Sequence, residues 1–443
     1  MKASARLGLL EALPAASRSA VEALVAAATQ RGLAVHMVGG PVRDFLLGRP
    51  VHDADLVVED RIPGAALDLA REALPGARVV SHGRFGTVRI DLPDARVDLA
   101  TVRSEHYPHP GSLPIVAAGT LEGDLLRRDF SVNALAVPLT PRAREGRAAV
   151  VDLAKGQDDL AARTLRILHP RSLHDDPTRA LRAARLGARL GFSLSRGSRA
   201  ALRDALRDGV FGRVSGDRLR RELEKLFDDA ACGTDPALAL RTLDEWHVLA
   251  ALEPGLRLPR AAVAPLRRLG RLLATPPWPS PRLRRLAAGL AVWLAPLDAG
   301  LRQRTLQRAA VRGEVAARIA AFPRLREAAL RELGKARGRG AIDAALGGLG
   351  DEELLALLAF AAPTPRRRIL RYATEDRPRR LPVTGDDLVA LGLAGPAVGR
   401  ALARIRAEML DGRLRGRDDA LALAREIGRR KAGSAASRPA RRA

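Results

Sequence analysis

A pair of glycines between a strand-like and a helix-like run restricts this chain more than any other stretch of its sequence. Ala34 to Val38 is apolar enough for a buried strand, and Gly39 and Gly40 follow it directly. Pro41 to Leu47 then has helical spacing, with proline near the first position. Backbone N–H groups at such a turn are not obstructed by a Cβ atom and lie at the positive end of a helix dipole. The turn therefore suits a triphosphate.

Two aspartates follow the glycine pair, at the start of a second strand-like run from Asp53 to Val58. Because side chains alternate along a strand, Asp53 and Asp55 point to one face and the small Ala54 points to the other. Two carboxylates on one face can bind one or two Mg²⁺ ions. An isolated Asp-x-Asp is more simply a solvated strand end. The preceding glycine turn favours the metal site here.

A third carboxylate is expected in a predicted hairpin. Thr87 to Leu92 and Arg96 to Arg103 alternate between apolar and polar residues on either side of a proline–aspartate turn. Asp98 faces away from its two apolar neighbours and is the candidate for completing the metal site. Asp91 in the preceding strand is the alternative, and an ordinary exposed strand position is the other interpretation of Asp98.

Two cations, an acid and an amide are concentrated between Asp124 and Ala134. Arg127 or Arg128 could bind phosphate through the planar fork of its guanidinium. Asp129 and Asn133 are four residues apart, so both could contact ribose hydroxyls from one side of a helical turn. A surface network of arginine and aspartate is an equally good interpretation of these residues alone.

A third cluster opens a predicted helix after Pro177. Asp176 and Arg179 are three residues apart and so share a face. A carboxylate and a guanidinium together present the hydrogen-bond acceptors and donors that can read the Watson–Crick edge of a base. For this segment in isolation, helix capping and an ordinary ion pair are the simpler interpretation.

Charge and composition indicate the partner and exclude several classes of protein. The 443 residues include 75 Lys and Arg against 50 Asp and Glu, and residues 251–340 contain 19 of these cations against 5 acids. A polyanion is the expected partner. The single Cys232 forms no internal disulfide, and neither His nor Cys has metal-ligand spacing, so a reducing, cytoplasmic location is predicted. The longest uncharged apolar stretch, Leu286 to Leu297, is too short to span a membrane.

Together these motifs resemble the class II tRNA nucleotidyltransferase and bacterial poly(A) polymerase family, a branch of the polymerase-β-like nucleotidyltransferases. The resemblance covers the front of the chain closely, whereas residues 231–380 match only in helical character. The matching stretches are Gly39 to Gly48 with Asp53-Ala54-Asp55, Phe85 to Val88, Asp98 to Arg103, Arg127 to Ala134, Asp175 to Phe192, Thr384 to Leu388, Gly395-Pro396 and Leu410 to Gly412.

The resemblance implies an α+β fold, in which a small head of mixed sheet and helices precedes an all-α neck, body and tail. The expected boundaries are a catalytic head at 1–145, a neck at 146–230, a basic helical body at 231–345, a helical RNA-binding tail at 346–430 and a disordered basic end at 431–443. Strand-like patterns before about Pro138 and helical patterns after it agree with this order.

The resemblance also implies a reaction and a set of site residues. Asp53 and Asp55 would bind Mg²⁺, with Asp98 as the third acid, while the 3′ end of a tRNA or other RNA receives CMP and AMP from CTP and ATP. Asp176 and Arg179 would act as a protein template for the base. The implied nucleotide-binding residues are Gly39, Gly40, Arg43, Arg128, Asp129, Asn133, Asp176, Arg179 and Arg182.

Three alternatives remain open from the sequence. They are a poly(A) polymerase, an enzyme that adds only A or only CC, and an RNA-binding protein without catalytic activity. The stretch from Tyr107 to Gly111 is long enough to be the flexible loop that CC-adding relatives tend to shorten, which favours addition of A. The acids at Asp53, Asp55 and Asp98 argue against a protein without catalytic activity.

Overall fold

The computed structural model describes residues 5–60, 64–82, 86–140 and 150–436, which form two compact units. The first unit comprises Met1–Glu222 with Arg241–Pro254, and the second comprises Leu223–Leu240 with Gly255–Ala443. The first contains the sheet and the second is helical, as predicted for an α+β chain with its sheet in front. The finer predicted boundaries after residues 145, 230 and 345 stay predictions.

A seven-stranded mixed sheet forms the centre of the first unit. The strands of this unit are β1 Ala34–Val38, β2 Ala54–Glu59, β3 Arg78–His82, β4 Thr87–Leu92, β5 Ala95–Thr101, β6 Arg103–His106, β7 Ile115–Ala118, β8 Leu135–Pro138, β9 Val151–Asp152, β10 Thr164–Leu165 and β11 Ser193–Leu194. The sheet order is β3-β4-β5-β2-β1-β8-β9, in which only β2 and β5 run parallel as neighbours. β6 and β7 form a separate hairpin.

Helices cover this sheet and continue the chain beyond it. They are α1 Ala5–Glu11, α2 Ala15–Gln30, α3 Gly40–Leu46, α4 Ala65–Ala73, α5 Leu121–Leu126, α6 Gly156–Ala161, α7 Ser172–Asp175, α8 Thr178–Leu190, α9 Arg196–Arg207, α10 Gly216–Ala231, α11 Pro236–Glu245 and α12 Val248–Leu252, with 3₁₀ turns at Ser131–Asn133 and Val210–Arg213. Helix α8 begins directly after Pro177 and ends at Gly191, whose φ of 73° is left-handed. Both ends follow from the sequence, because proline suits a helix start and glycine adopts the left-handed cap without strain.

The second unit contains only helices among its described residues after α12. They are α13 Arg260–Ala274, α14 Arg285–Leu294, α15 Ala299–Arg308, α16 Gly313–Lys335, α17 Arg339–Leu346, α18 Asp351–Phe360, α19 Pro363–Arg371, a π-helical turn Tyr372–Asp376, α20 Gly385–Ala390, α21 Pro396–Leu410 and α22 Arg417–Ala436. Apolar side chains along α14 and α18 are almost wholly buried, including Trp293. A second cluster forms between α20, α21 and α22 around Leu388 and Ile405.

Part of the positive charge of this unit is used within the fold. Arg268 donates through Nη1 to the carbonyl oxygen of Ala359, 2.6 Å away, at the end of α18. Arg368 donates in the same way at the end of α16, where its Nη1 lies 3.3 Å from the oxygen of Ala336. The buried Arg302 also donates to two main-chain carbonyls. Arg268 and Arg368 thus bind carbonyl groups at helix ends, where the helix itself leaves them without partners.

The end of the chain differs in part from the prediction. Residues 431–436 continue α22, although their composition predicted disorder. Three of these six residues are alanine, which has the highest helix propensity, and they extend a helix that is already nucleated. Residues 437–443 lie outside the described part of the chain. No helix within the described ranges is long and apolar enough to cross a membrane.

Candidate active site

Two carboxylates are paired across neighbouring strands. Asp55 in β2 is the register partner of Asp98 in β5, so both side chains lie on one face, with backbones about 4.8 Å apart. Asp91 lies one strand further away, in β4 opposite Arg96. The structure therefore places Asp98 beside Asp55, and not the alternative Asp91. Asp53 precedes β2 and is more exposed, with its side chain 68% accessible and 4.0 Å from Arg96.

The electrostatics of this pair fit a cation. Burial raises the pKa of Asp55 to about 6, the charge of Asp98 adds to the increase, and the positive charge of Arg128 opposes it. A divalent ion would relieve this repulsion. Among the described residues, no group of three or more His, Cys, Asp or Glu side chains is placed to hold a metal ion, so Asp53 does not complete such a group with Asp55 and Asp98. Mg²⁺ commonly takes one or two carboxylates and completes its ligand shell with substrate phosphates and water, so the residues present fit it.

The glycine turn lies against an arginine from the second motif. Gly39 has a φ of 74°, and a Cβ atom there would be 2.8 Å from Nη1 of Arg128. The positive φ favours glycine at this position, and the absence of a Cβ atom leaves room for the guanidinium of Arg128 beside the turn. Gly40 begins α3, as the sequence predicted to within one residue. The structure thus brings the turn, Arg128 and the charge of Asp55 into one neighbourhood.

Arg43 contacts protein side chains. It is buried, and it donates through Nη1 to Oδ1 of Asn133 at 2.6 Å and through Nε to Oδ1 of Asp44 at 2.8 Å. Burial lowers its pKa, although Asp44 opposes that shift. Asn133 in turn donates to Oδ1 of Asp129 at 2.9 Å. Arg43 therefore orients Asn133, and this chain of hydrogen bonds fixes the amide that was predicted to contact the nucleotide.

The predicted base-reading pair at the start of α8 is held by other protein groups. Arg179 donates through Nη2 to the carbonyl oxygen of Arg127 at 2.7 Å, and through Nη1 to the hydroxyl of Ser172. The carboxylate of Asp176 accepts from Nη2 of Arg218 at 2.5 Å and from a nearby backbone N–H. Burial favours the neutral acid, but Arg182 and Arg218 outweigh it and lower the pKa of Asp176. Asp176 is therefore ionised and fixed.

Arg182 connects the second and third motifs. It lies 3.6 Å from a carboxylate oxygen of Asp129, 3.6 Å from one of Asp176 and 3.3 Å from one of Glu222. Burial opposes its charge, but Glu222, Asp176 and Asp129 outweigh burial and raise the pKa of Arg182. Its guanidinium thus stays charged and joins the acids of both motifs.

Several residues of the site were not predicted. Arg218 and Glu222 in α10 hold Asp176 and Arg182, yet they lie about forty residues later and show no local pattern that links them to the site. Ser172 supports Arg179 but is an ordinary serine in the sequence. Asp124 opens the second motif and could have been found by its position, but no role was assigned to it.

This fold and site define a nucleotidyltransferase head, with two strand-borne acids beside a glycine turn. A family model described as the poly A polymerase head domain matches residues 35–166. Structural comparison agrees over almost the whole chain. A solved CCA-adding enzyme in complex with CTP has a TM-score of 0.72 and 26% identity, over 98% of this chain and 100% of that one. The predicted α+β fold class is thereby confirmed.

Two curated relatives identify the family. A CC-adding tRNA nucleotidyltransferase of Deinococcus radiodurans is 36% identical over 390 residues, which are 86% of each chain. An A-adding tRNA nucleotidyltransferase of Geobacter sulfurreducens is 32% identical over 416 residues, which are 88% of this chain and 45% of the relative. The chain thus spans less than half the length of the second relative. It belongs to the tRNA nucleotidyltransferase family, and the resemblance inferred from its motifs is confirmed.

Proposed function

We propose that the protein adds CMP and AMP to the 3′ end of tRNA without a nucleic-acid template. The observation that carries this proposal is the pair Asp176 and Arg179, each of which is oriented by hydrogen bonds to neighbouring protein groups. An ionised carboxylate accepts hydrogen bonds and a guanidinium donates them, so the pair can read the Watson–Crick edge of cytosine or adenine. Relatives named as A-adding and CC-adding enzymes support this choice of substrates.

The chemistry requires no protein nucleophile. The 3′-hydroxyl of the RNA attacks the α-phosphorus of CTP or ATP, and pyrophosphate leaves from the opposite side. Asp53 and Asp55, with Asp98 beside Asp55, would hold Mg²⁺, and its charge would lower the pKa of the hydroxyl and stabilise the leaving phosphates. The register pairing of Asp55 with Asp98, which puts both carboxylates on one face of the sheet, supports this ligand set. Asp53 as a metal ligand rests on its position two residues before Asp55 and on the resemblance.

The remaining residues bind and orient the nucleotide. Arg128 beside the turn at Gly39 is the guanidinium proposed to contact the triphosphate. Arg43 acts in the proposal by holding Asn133, which with Asp129 contacts the ribose. In this proposal the residues that bind the phosphates lie near the sheet, and the residues that read the base lie at the start of α8.

Two narrower specificities are the alternatives, because relatives named as A-adding and as CC-adding both align with this chain. The loop from Tyr107 to Gly111 connects β6 and β7, and its Gly111 carbonyl accepts a hydrogen bond of 2.8 Å from Nη1 of Arg218. The same arginine holds Asp176. This link between the loop and the base-reading pair supports addition of A as well as C. A poly(A) polymerase is the remaining alternative.

The partner and location follow from the substrate. We propose that the helical second unit binds the tRNA backbone through arginines that are not used inside the fold, and that the protein acts in the cytoplasm. The net charge of +25 supports a polyanionic partner. Aromatic stacking contributes little, since aromatic residues make up 3% of the chain.

The experiment that tests the proposal uses tRNA transcripts that end before the first C, after CC, or after the complete CCA. Each is incubated with the full chain, Mg²⁺, CTP and ATP, and the product ends are sequenced. The proposal expects CCA on the first transcript, a single A on the second and no extension of the third. Products that stop at CC would indicate a CC-adding enzyme. Extension of the second transcript alone would indicate an A-adding enzyme. Long A tails would indicate a poly(A) polymerase, and absence of incorporation would refute the proposal.

A further inference from the structure

We propose that Asp124 is a positioning residue for the nucleotide phosphates and acts through Arg128. This inference rests on the proposed nucleotidyl transfer and adds a residue that none of the predicted roles includes. Asp124 lies in α5 and is wholly buried. A buried carboxylate is costly unless other groups compensate its charge, so its partners indicate why it is there.

The carboxylate of Asp124 divides its oxygens between two consecutive arginines. Oδ1 accepts from Arg127, through Nε at 3.0 Å and Nη2 at 2.5 Å. Oδ2 accepts from Nη2 of Arg128 at 2.9 Å. Burial favours the neutral acid, but the two arginines outweigh it and lower the pKa of Asp124. The group is therefore an anion that holds both guanidinium groups at fixed angles.

The two arginines differ in what their other nitrogens do. The third nitrogen of Arg127, Nη1, donates to Oε1 of Glu105 at 2.7 Å, so each of its three guanidinium nitrogens donates to a protein carboxylate. Arg128 differs, since within the described residues its side chain donates only through Nη2 and its buried Nε lacks a hydrogen-bond partner. Its Nη1 lies against the turn at Gly39. Arg128 is therefore the member of the pair with donors left for a phosphate.

Asp124 also keeps Arg128 away from the wrong partner. The charge of Arg128 acts on Asp55, so the arginine lies within electrostatic range of the acid proposed to bind metal. Without the Asp124 anion, Asp55 would be a carboxylate within electrostatic range of Arg128 that could take its place. An ion pair there would compete both with the metal and with the phosphates. We infer that Asp124 prevents this pairing by holding Nη2.

The first test is Asp124→Asn, which preserves the shape of the side chain and removes its charge. We expect KM for CTP and for ATP to rise by the same factor, roughly tenfold, as for loss of one charged hydrogen bond. The preference between CTP and ATP should not change, because the base-reading pair is untouched. Affinity for inorganic tripolyphosphate, measured at equilibrium, should fall by a similar factor. Unchanged KM and unchanged tripolyphosphate affinity would overturn the inference.

The second test asks whether Asp124 acts through Arg128. In an Arg128→Gln background, Asp124→Asn should cause no further loss of tripolyphosphate affinity, because the group that it positions is already absent. An equal loss in both backgrounds would show that Asp124 acts by another route and would refute its positioning role. If Asp124→Asn does not fold, Asp124→Glu replaces it. That variant keeps the charge but moves the carboxylate, so a smaller rise in KM is expected and no rise would overturn the inference.

The control is Glu353→Gln in the second unit. Glu353 is also a buried carboxylate that binds an arginine, with Nη2 of Arg318 at 2.6 Å. The Glu353→Gln substitution should lower the melting temperature without changing KM for either nucleotide. If KM rises equally in this control, the effect of Asp124→Asn comes from a general loss of stability. The wild-type chain separates the two proposals: if it incorporates no nucleotide, the proposed function fails, whereas normal incorporation with an unaffected Asp124→Asn variant rejects only this inference.

Discussion

Arg179 donates a hydrogen bond of 2.7 Å to the main-chain carbonyl oxygen of Arg127. The arginine proposed to read the base is thus anchored on the motif proposed to bind the phosphates. Together with the hydrogen bond to the hydroxyl of Ser172, this contact orients the guanidinium of Arg179. One hydrogen bond therefore links the guanidinium of Arg179 to the main chain of the segment that contains Arg128.

Loss of this anchored group should relax the choice of base. We expect Arg179→Lys to reduce the preference for CTP and ATP over GTP and UTP by roughly tenfold or more, since a bidentate contact contributes about 1–3 kcal/mol of discrimination. The measurement is kcat/KM for each nucleotide with the same tRNA. Ser172→Ala removes only one of the two partners of Arg179 and should have a smaller effect. Unchanged selectivity in Arg179→Lys would contradict the role in base reading.

The acids on β2 and β5 should be required for chemistry and not for RNA binding. We expect Asp55→Asn or Asp98→Asn to reduce nucleotide incorporation on the order of a thousandfold. Either change would remove stabilisation of the charge that develops in the transition state. The affinity for tRNA, measured by electrophoretic shift, should not change. Asp91→Asn is the matched control, since Asp91 lies one strand further from Asp55 and should retain activity. Retained turnover in Asp55→Asn would refute the metal role.

The raised pKa of Asp55 predicts how stability depends on pH in the absence of metal. Its pKa increases from 3.8 to about 6 on folding, so ionisation of the folded state is disfavoured. The stabilising effect of its proton is fully present below pH 3.8 and is lost as pH rises to 6. In a chelator, Asp55→Asn should therefore be more stable than wild type above pH 6, by about 2–3 kcal/mol.

Urea unfolding followed from pH 4 to pH 7 measures this difference. The stability gap between Asp55→Asn and wild type should widen across the range and then become constant. Addition of Mg²⁺ should narrow the gap, because only wild type keeps the carboxylate that is proposed to bind the ion. If the two stability curves run parallel from pH 4 to pH 7, ionisation of Asp55 does not lower the free energy of unfolding.

Substitution of two adjacent arginines in α19, Arg367 and Arg368, should distinguish an arginine that stabilises the fold from one that binds RNA. Arg368 donates to main-chain carbonyls, so Arg368→Gln should lower the free energy of unfolding by about 1–2 kcal/mol. It should leave the salt dependence of tRNA affinity unchanged. Arg367 is exposed, and Arg367→Gln should change stability by less than about 0.5 kcal/mol.

The readout for this pair is the slope of log Kd against log salt concentration, together with urea unfolding. If Arg367 contacts a phosphate, its replacement should reduce the slope by about one unit. The opposite assignment, with a changed slope for Arg368→Gln and lost stability for Arg367→Gln, would contradict this division of roles.

Local patterns in the sequence were sufficient for the elements around the site. β1 and β4 have the predicted bounds, and α8 begins after Pro177 as expected. These features depend on periodicity and on the backbone preferences of proline and glycine, which act over a few residues. The motifs also identified the family, because their spacing is a property of the chain itself.

Only the tertiary structure decided which groups meet. Parallel pairing of β2 with β5 places Asp98 beside Asp55, and no local pattern distinguishes it from Asp91. In the same way, Arg127 and Arg128 are adjacent and chemically identical in sequence. Glu105 and Asp124 accept from all three guanidinium nitrogens of Arg127, whereas the Nε of Arg128 has no partner among the described residues. The contact with Glu105, which lies 22 residues earlier in the chain, makes this difference. The sequence by itself determined the kinds of residues and their local geometry, whereas packing decided their roles, because charge acts through space and not along the chain.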